Sequence, residues 1–160
     1  ECISLVYKLI KDSEPKRRLS FIDAGCGCGN ILALACVSGF KIVRGIEIDP
    51  ETAELARKFM GMMFYDDKTN VIEILDNDIT TFSNYGEYDC IYVYQPIHKY
   101  KSEMYEFLKN LSDTMKINAY VIFHCTSEDF HKDERFECVN GSIYKKVRKE
   151  KMNEIEQTCH

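Results

Sequence analysis

The chain lacks the long apolar runs and the excess of positive charge that mark membrane and nucleic-acid-binding proteins. No apolar run approaches the roughly 18 residues that a membrane span needs, and the formal net charge is −5 over 160 residues. The longest basic cluster, residues 145–149, is interpreted as a solvated strand end, and the N-terminus has no signal-peptide pattern. These features predict one globular domain without a membrane partner, for which a nucleic-acid substrate is disfavoured.

The chain also lacks any Cys-x-x-Cys pair, although it contains eight cysteines. Several of them stand in apolar runs, which favours free, buried thiols in a reducing compartment and therefore a cytoplasmic protein. Cys26 and Cys28 flank Gly27 but have no matched partners elsewhere in the sequence. We therefore predict no metal site.

Strand-like and helix-like segments alternate along the chain. Apolar runs predict strands over residues 19–24, 40–48, 71–75, 89–94 and 119–124, and amphipathic spacing predicts helices between them. Two further alternating runs flank Asn140-Gly141, which is a strong hairpin signal. The pattern predicts an α/β fold with a doubly wound, mostly parallel sheet, helices on both faces and an antiparallel C-terminal hairpin.

The ends of the chain differ from this alternating part. Residues 2–11 carry apolar positions on one helical face, and a polar connector follows up to residue 18. We expect residues 1–18 to form a helix and connector that cover the binding crevice as a short lid. Residues 19–150 form the main domain in this interpretation, and residues 151–160 form a tail.

A glycine-rich turn follows the first predicted strand. The strand ends at Asp23-Ala24, and Gly25, Gly27 and Gly29 then stand one residue apart before an apolar helix. Glycine allows positive φ and a close approach of backbone to a ligand. Dinucleotide-binding enzymes use G-x-G-x-x-G, but Asn30 occupies the place of the third glycine. Asp23 also suits a ligand ammonium group better than a pyrophosphate.

The spacing G-x-G-x-G after Asp23 resembles motif I of the class I S-adenosylmethionine-dependent methyltransferases. The resemblance covers residues 19–148 and includes the terminal hairpin, which in that family inserts a reversed strand at the sheet edge. It implies a Rossmann-like fold with seven strands in the order 3-2-1-4-5-7-6. It also implies S-adenosylmethionine as the cofactor of this chain.

The resemblance further implies a role for particular side chains. The glycine turn with Cys26 and Asn30 would cradle the cofactor, and Asp23 would hold its methionine end. Glu47, followed by Ile48, would accept hydrogen bonds from the ribose hydroxyls, while Asp49 would cap the next helix. Asp78 would accept a bond from the adenine amino group, with backbone N–H groups near Ile79 completing the adenine edge.

The segment after strand four, Tyr94-Gln95-Pro96-Ile97-His98, partly resembles the Asn-Pro-Pro-Tyr motif of amino-group methyltransferases. Gln95 can orient a target amide or amine, and His98 can serve as a general base because imidazole exchanges protons near neutral pH. Tyr94 can wall the sulfonium by a cation–π contact or can belong to the sheet core. The end of strand five, His124-Cys125, either lines the same crevice or is a plain strand terminus.

The sequence therefore predicts an S-adenosylmethionine-dependent methyltransferase. It would move a methyl group by in-line displacement to a nitrogen or oxygen nucleophile of a small molecule or a protein side chain. The degenerate segment after strand four leaves open a non-catalytic, cofactor-binding partner of another methyltransferase subunit. An NAD-type oxidoreductase is the third hypothesis, which Asn30 and Asp23 disfavour.

Overall fold

The computed structural model describes residues 1–95, 101–124 and 132–149, without the side chain of Lys101. Its helices are α1 (Cys2–Ser13), α2 (Asn30–Ser38), α3 (Pro50–Met63) and α4 (Lys101–Thr114), and a short 3-10 turn covers Tyr85–Glu87. The strands in the described residues are β1 (Ser20–Ala24), β2 (Ile42–Glu47), β3 (Val71–Asp76), β4 (Cys90–Tyr94), β5 (Tyr120–His124), β6 (Phe136–Asn140) and β7 (Ile143–Lys146). His98, Cys125 and the predicted tail at 151–160 lie outside the described residues.

The strands form one sheet in the order β3-β2-β1-β4-β5-β7-β6. The first five strands in this order run parallel to one another, whereas β7 runs antiparallel to β5 and β6. The predicted fold class and strand order are therefore confirmed. All five residues of β1 are buried, as expected for a central parallel strand covered on both faces.

Helices cover both faces of the sheet. One apolar layer holds the buried residues of α1, α2 and α3, and the other holds those of α4 and of the segment between β3 and β4. α3 begins as predicted, with Pro50 at its first position and Asp49 accepting a hydrogen bond from the Thr52 N–H at 2.8 Å. No helix among the described residues combines the length and apolar character needed to cross a membrane.

Helix α1 belongs to the first of these layers. Ile3, Val6 and Ile10 are buried at the predicted helical spacing, and Ser4 Oγ lies 3.0 Å from Ser38 Oγ at the end of α2. The helix thus packs beside α2 on the face of the sheet. Its function as a lid stays a prediction.

The basic cluster near the C-terminal hairpin differs from the expected solvated strand end at one residue. Lys146 is only 1% exposed, and its Nζ donates hydrogen bonds of 2.6 Å to the carbonyl oxygens of Ser112 and Met115. These carbonyls stand at the C-terminal end of α4, where backbone acceptors have no partner within the helix. Burial lowers the pKa of Lys146, with a further contribution from Arg135.

We expect Lys146→Met to lower the free energy of unfolding by about 2 kcal/mol, because two buried carbonyl groups lose a charged donor. Lys145→Met is the matched control, since Lys145 is the adjacent lysine and is only partly buried. It should change the free energy of unfolding by less than about 1 kcal/mol. Urea unfolding followed by circular dichroism measures both values, and equal losses in the two variants would contradict this capping role.

Candidate cofactor site

The glycine turn lies at the carboxyl end of β1. Gly25, Gly27 and Gly29 have φ values of +88°, +52° and +90°, a region that residues with a Cβ rarely adopt. The backbone N–H groups of Gly25 and Cys26 both donate to the carbonyl oxygen of Ile46, at 3.0 and 2.8 Å. These bonds fold the turn over the end of β2, and the predicted need for glycine is confirmed.

Gly45 is a residue of this region that the sequence interpretation missed. A Cβ at Gly45 would lie 2.5 Å from Cys26 Sγ and 2.8 Å from Leu32 Cδ1. The signal was a glycine inside an apolar strand, which often marks a close approach of another segment. Burial, together with the nearby Asp23 and Glu47, raises the pKa of Cys26 to about 12. The Cys26 side chain is therefore a neutral packing group, and its backbone faces the turn.

Asp23 is the buried acid of the site. Its side chain is 3% exposed, and it accepts no hydrogen bond from any of the described residues. Burial, reinforced by the charge of Glu47, raises the pKa of Asp23 from the ordinary 3.8 to about 8. Buried carboxylates are normally paired with a donor or a cation. Asp23 therefore offers an unsatisfied acceptor at the point where β1 meets the glycine turn.

Glu47 ends β2 and joins it to the glycine turn. Its Oε2 accepts the Gly27 N–H at 3.0 Å, and its Oε1 accepts the N–H groups of Ile48 and Asp49 at 2.9 and 3.0 Å. The carboxylate is thus held at the same edge of the sheet as Asp23. Ile48 directly follows it and is 68% exposed. The oriented Glu47 carboxylate therefore stands next to the exposed apolar side chain of Ile48.

Asp78 and Ile79 lie in the turn after β3. Asp78 Oδ1 accepts the Thr80 N–H at 2.8 Å and the Thr80 hydroxyl at 2.7 Å, which leaves Oδ2 without a partner among the described residues. The buried Tyr85 hydroxyl donates to the Ile79 carbonyl oxygen at 3.0 Å and supports the turn from the core side. The Ile79 N–H has no acceptor within the described parts of the chain.

The first turn of α2 completes the site. Gly29 is the N-cap residue in a left-handed conformation, and no side chain caps the helix. Asn30 is the first helical residue and is exposed. Backbone N–H groups at such a helix start can bind a carboxylate.

The end of β4 stands next to this site. Tyr94 is 60% exposed, so the alternative that placed it in the sheet core is wrong. The reason is its position as the last residue of β4, at the carboxyl edge of the sheet. Gln95 has a φ of +38°, an uncommon conformation for a residue with a Cβ that often marks functional segments. His98 lies outside the described residues, so its predicted role as a base stays a prediction.

The parallel sheet, the glycine turn and the acids at the ends of β1, β2 and β3 together define a class I S-adenosylmethionine-dependent methyltransferase. A family model described as a methyltransferase domain matches residues 1–151. The chain belongs to this family. A comparison with curated proteins found no match.

Several solved structures with the same fold are methyltransferases of low sequence identity. Magnesium protoporphyrin IX methyltransferase from Synechocystis PCC 6803 with bound S-adenosylmethionine is 18% identical with a TM-score of 0.68, covering 92% of this chain and 78% of its own. The amino pentose methyltransferase CalS10 from Micromonospora echinaspora is 20% identical with a TM-score of 0.53. An S-adenosylmethionine-dependent methyltransferase from Clostridium acetobutylicum is 16% identical with a TM-score of 0.55. The last two alignments each cover 74% of this chain and 47% of the other protein.

Proposed function

We propose that this chain binds S-adenosylmethionine and transfers its methyl group to a nitrogen or oxygen nucleophile of a small molecule. The observation that carries the proposal is Asp23, a buried carboxylate without a partner among the described residues, between the glycine turn and Glu47. A cationic amino group pairs with the ionised form of this carboxyl and so displaces its proton, whereas a pyrophosphate has no donor to offer it and brings further negative charge next to Glu47. This chemistry argues against an NAD-type ligand.

The residues present fit the cofactor group by group. Asp23 would accept the ammonium of the methionine end, and the open first turn of α2 at Asn30 would bind its carboxylate. Glu47 would accept the ribose hydroxyls while the exposed Ile48 packs on the adenine. The free Oδ2 of Asp78 and the N–H of Ile79 would pair with the adenine edge.

S-adenosylmethionine supplies a methyl group on an already activated sulfonium. The chain then has to hold both partners in line and exclude water, which can account for most of the catalysis. Tyr94 would stand at the sulfonium and Gln95 at the acceptor, as the sequence predicts. No strongly basic residue is required for this chemistry. A non-catalytic cofactor-binding subunit is the second candidate, because the segment after β4 departs from the Asn-Pro-Pro-Tyr motif of amino-group methyltransferases.

The acceptor and the location belong to this proposal as well. The solved relatives carry names that refer to a porphyrin and an amino pentose, which supports a small-molecule acceptor over a protein side chain. The described cysteines are free, which supports the proposed cytoplasmic location.

The proposal is tested by ligand binding to the whole chain. S-adenosylmethionine and S-adenosylhomocysteine should raise the melting temperature, because a hundredfold excess of ligand over Kd stabilises the folded chain by about 2.7 kcal/mol. NAD should not raise it. Glu47→Ala should weaken S-adenosylhomocysteine binding about 100-fold, because two ribose hydroxyls lose a charged acceptor. Isothermal titration calorimetry measures the affinity.

Asp49→Ala is the matched control, since Asp49 is two residues away and caps α3. It should cost about 1 kcal/mol of stability and leave the affinity within about threefold of wild type. Wild-type affinity in Glu47→Ala would contradict the ribose role, and a melting shift with NAD alone would contradict the proposed function. Formation of S-adenosylhomocysteine in the presence of a small-molecule extract then separates an active enzyme from a non-catalytic subunit.

A further inference from the structure

We propose that Tyr94 and His124 form the wall on which the methyl acceptor lies, and that this wall selects a planar aromatic hydroxy compound. The inference rests on the proposed function and adds the chemical class of the acceptor. It assigns His124, at the end of β5, a direct contact with the acceptor.

The sheet register places this wall beside the cofactor site. Asp23 on β1 pairs with Tyr92 on β4, and Tyr94 pairs with His124 on β5. Paired residues of parallel strands point to the same face, and residues two apart along a strand share that face. Asp23, Tyr92, Tyr94 and His124 therefore all lie on the side covered by α1 and α2. His124 stands two strands away from Asp23, roughly 10 Å across the sheet.

The three rings form one aromatic cluster. The His124 ring centre is 5.7 Å from that of Tyr92 and 6.3 Å from that of Tyr94, with interplanar angles of 55° and 60°. These distances are typical of favourable aromatic pairs. Tyr92 is partly buried below, whereas Tyr94 is 60% exposed at the rim. The cluster thus offers a fixed aromatic surface at the carboxyl end of the sheet, where ligands of this architecture bind.

His124 gives the wall a polar group. Its side chain is partly exposed, and neither ring nitrogen is hydrogen-bonded to any residue in the described ranges. A neutral imidazole can accept one hydrogen bond and donate another. Glu47 makes the neighbouring edge acidic, which disfavours an anionic acceptor. A neutral ring that stacks on Tyr94 and donates its hydroxyl to the acceptor nitrogen of His124 fits these groups.

The test uses 2-naphthol as the probe and the 160-residue chain saturated with S-adenosylhomocysteine. Wild type should bind 2-naphthol at least about tenfold more tightly than its saturated, non-planar counterpart decahydro-2-naphthol. Tyr94→Ala should weaken 2-naphthol binding about tenfold. Tyr105→Ala is the matched control, because Tyr105 on α4 is 61% exposed and lies away from this wall; it should bind like wild type.

His124→Phe keeps a ring beside Tyr94 and removes both nitrogens. Wild type should prefer 2-naphthol over 2-methylnaphthalene about fivefold or more, and this preference should disappear in His124→Phe. Equal binding of the planar and saturated probes to wild type would overturn the inference. It would also be overturned if Tyr94→Ala kept the 2-naphthol affinity and His124→Phe kept the preference for 2-naphthol over 2-methylnaphthalene. Calorimetry of S-adenosylhomocysteine alone separates the two proposals. If wild type binds S-adenosylhomocysteine but not 2-naphthol, the acceptor wall is rejected. If wild type does not bind S-adenosylhomocysteine, the proposed function is rejected.

Discussion

Asp23→Asn should weaken S-adenosylmethionine binding by about 100-fold or more and at the same time stabilise the ligand-free chain. The carboxylate is buried, has no partner in the described residues and faces the charge of Glu47. Removing one member of a buried charge pair costs about 2–5 kcal/mol of binding. Without the ligand, the amide avoids the penalty of a buried charge. Isothermal titration calorimetry gives the affinity, and urea unfolding gives the stability.

The stabilisation should depend on pH in a defined direction. The pKa of Asp23 is about 8 in the folded chain against the ordinary 3.8, so the folded chain holds a proton that the unfolded chain releases between these values. The free energy of unfolding of wild type therefore falls as pH rises through this window. The advantage of Asp23→Asn should be small near about pH 4 and largest above about pH 8. The same difference at both pH values would contradict the raised pKa.

Cofactor binding should release a proton from the same residue. Because Asp23 is mostly protonated at neutral pH without a ligand, an ammonium group that pairs with its ionised form expels that proton. Calorimetry in buffers of different ionisation enthalpy measures the release, which Asp23→Asn should abolish. Asp89→Asn is the control, since Asp89 is equally buried but pairs with Arg17 and Lys116 at the opposite end of β1. It should lose stability and keep both the affinity and the proton release.

The parts of the fold that were predicted from sequence are those with local causes. The glycine turn is recognisable because only glycine adopts the φ values of Gly25, Gly27 and Gly29 readily. Asp49-Pro50 carries a helix start in adjacent residues, and Asn140-Gly141 carries a hairpin turn. Strand order follows from these elements through the family resemblance. The predicted positions of the cofactor residues are thus set by the ends of β1, β2 and β3.

The features that were missed depend on contacts between distant segments. Lys146 is buried because the end of α4 meets β7, and nothing in residues 145–149 distinguishes it from its less buried neighbours. The exposure of Tyr94 and its contact with His124 follow from the register of β4 and β5. An apolar pattern predicts that both strands exist but does not show which of their residues the fold leaves exposed. The wall formed by Tyr94 and His124 therefore required the structure.

Gly45→Ala should have the second large effect, because Gly45 lies against the glycine turn that it supports. The added Cβ would lie 2.5 Å from Cys26 Sγ and 2.7 Å from Cys26 Cβ, so the turn must move away from β2. Overpacking of this kind costs about 1–3 kcal/mol of stability. The displacement also disturbs the Cys26 N–H bond to Ile46, and we expect S-adenosylhomocysteine affinity to fall at least about tenfold.

Gly61→Ala is the matched control, since Gly61 lies within α3 and a Cβ there meets nothing within 4 Å. The same substitution should raise stability by about 1 kcal/mol at this helical position and leave the affinity unchanged. Adding Cys26→Gly to Gly45→Ala removes both contacting atoms of Cys26 and should restore part of the lost affinity. The remaining contact, 2.8 Å to Leu32 Cδ1, involves the end of a flexible side chain that can rotate away. Full affinity in Gly45→Ala alone would show that the turn binds the cofactor without support from β2.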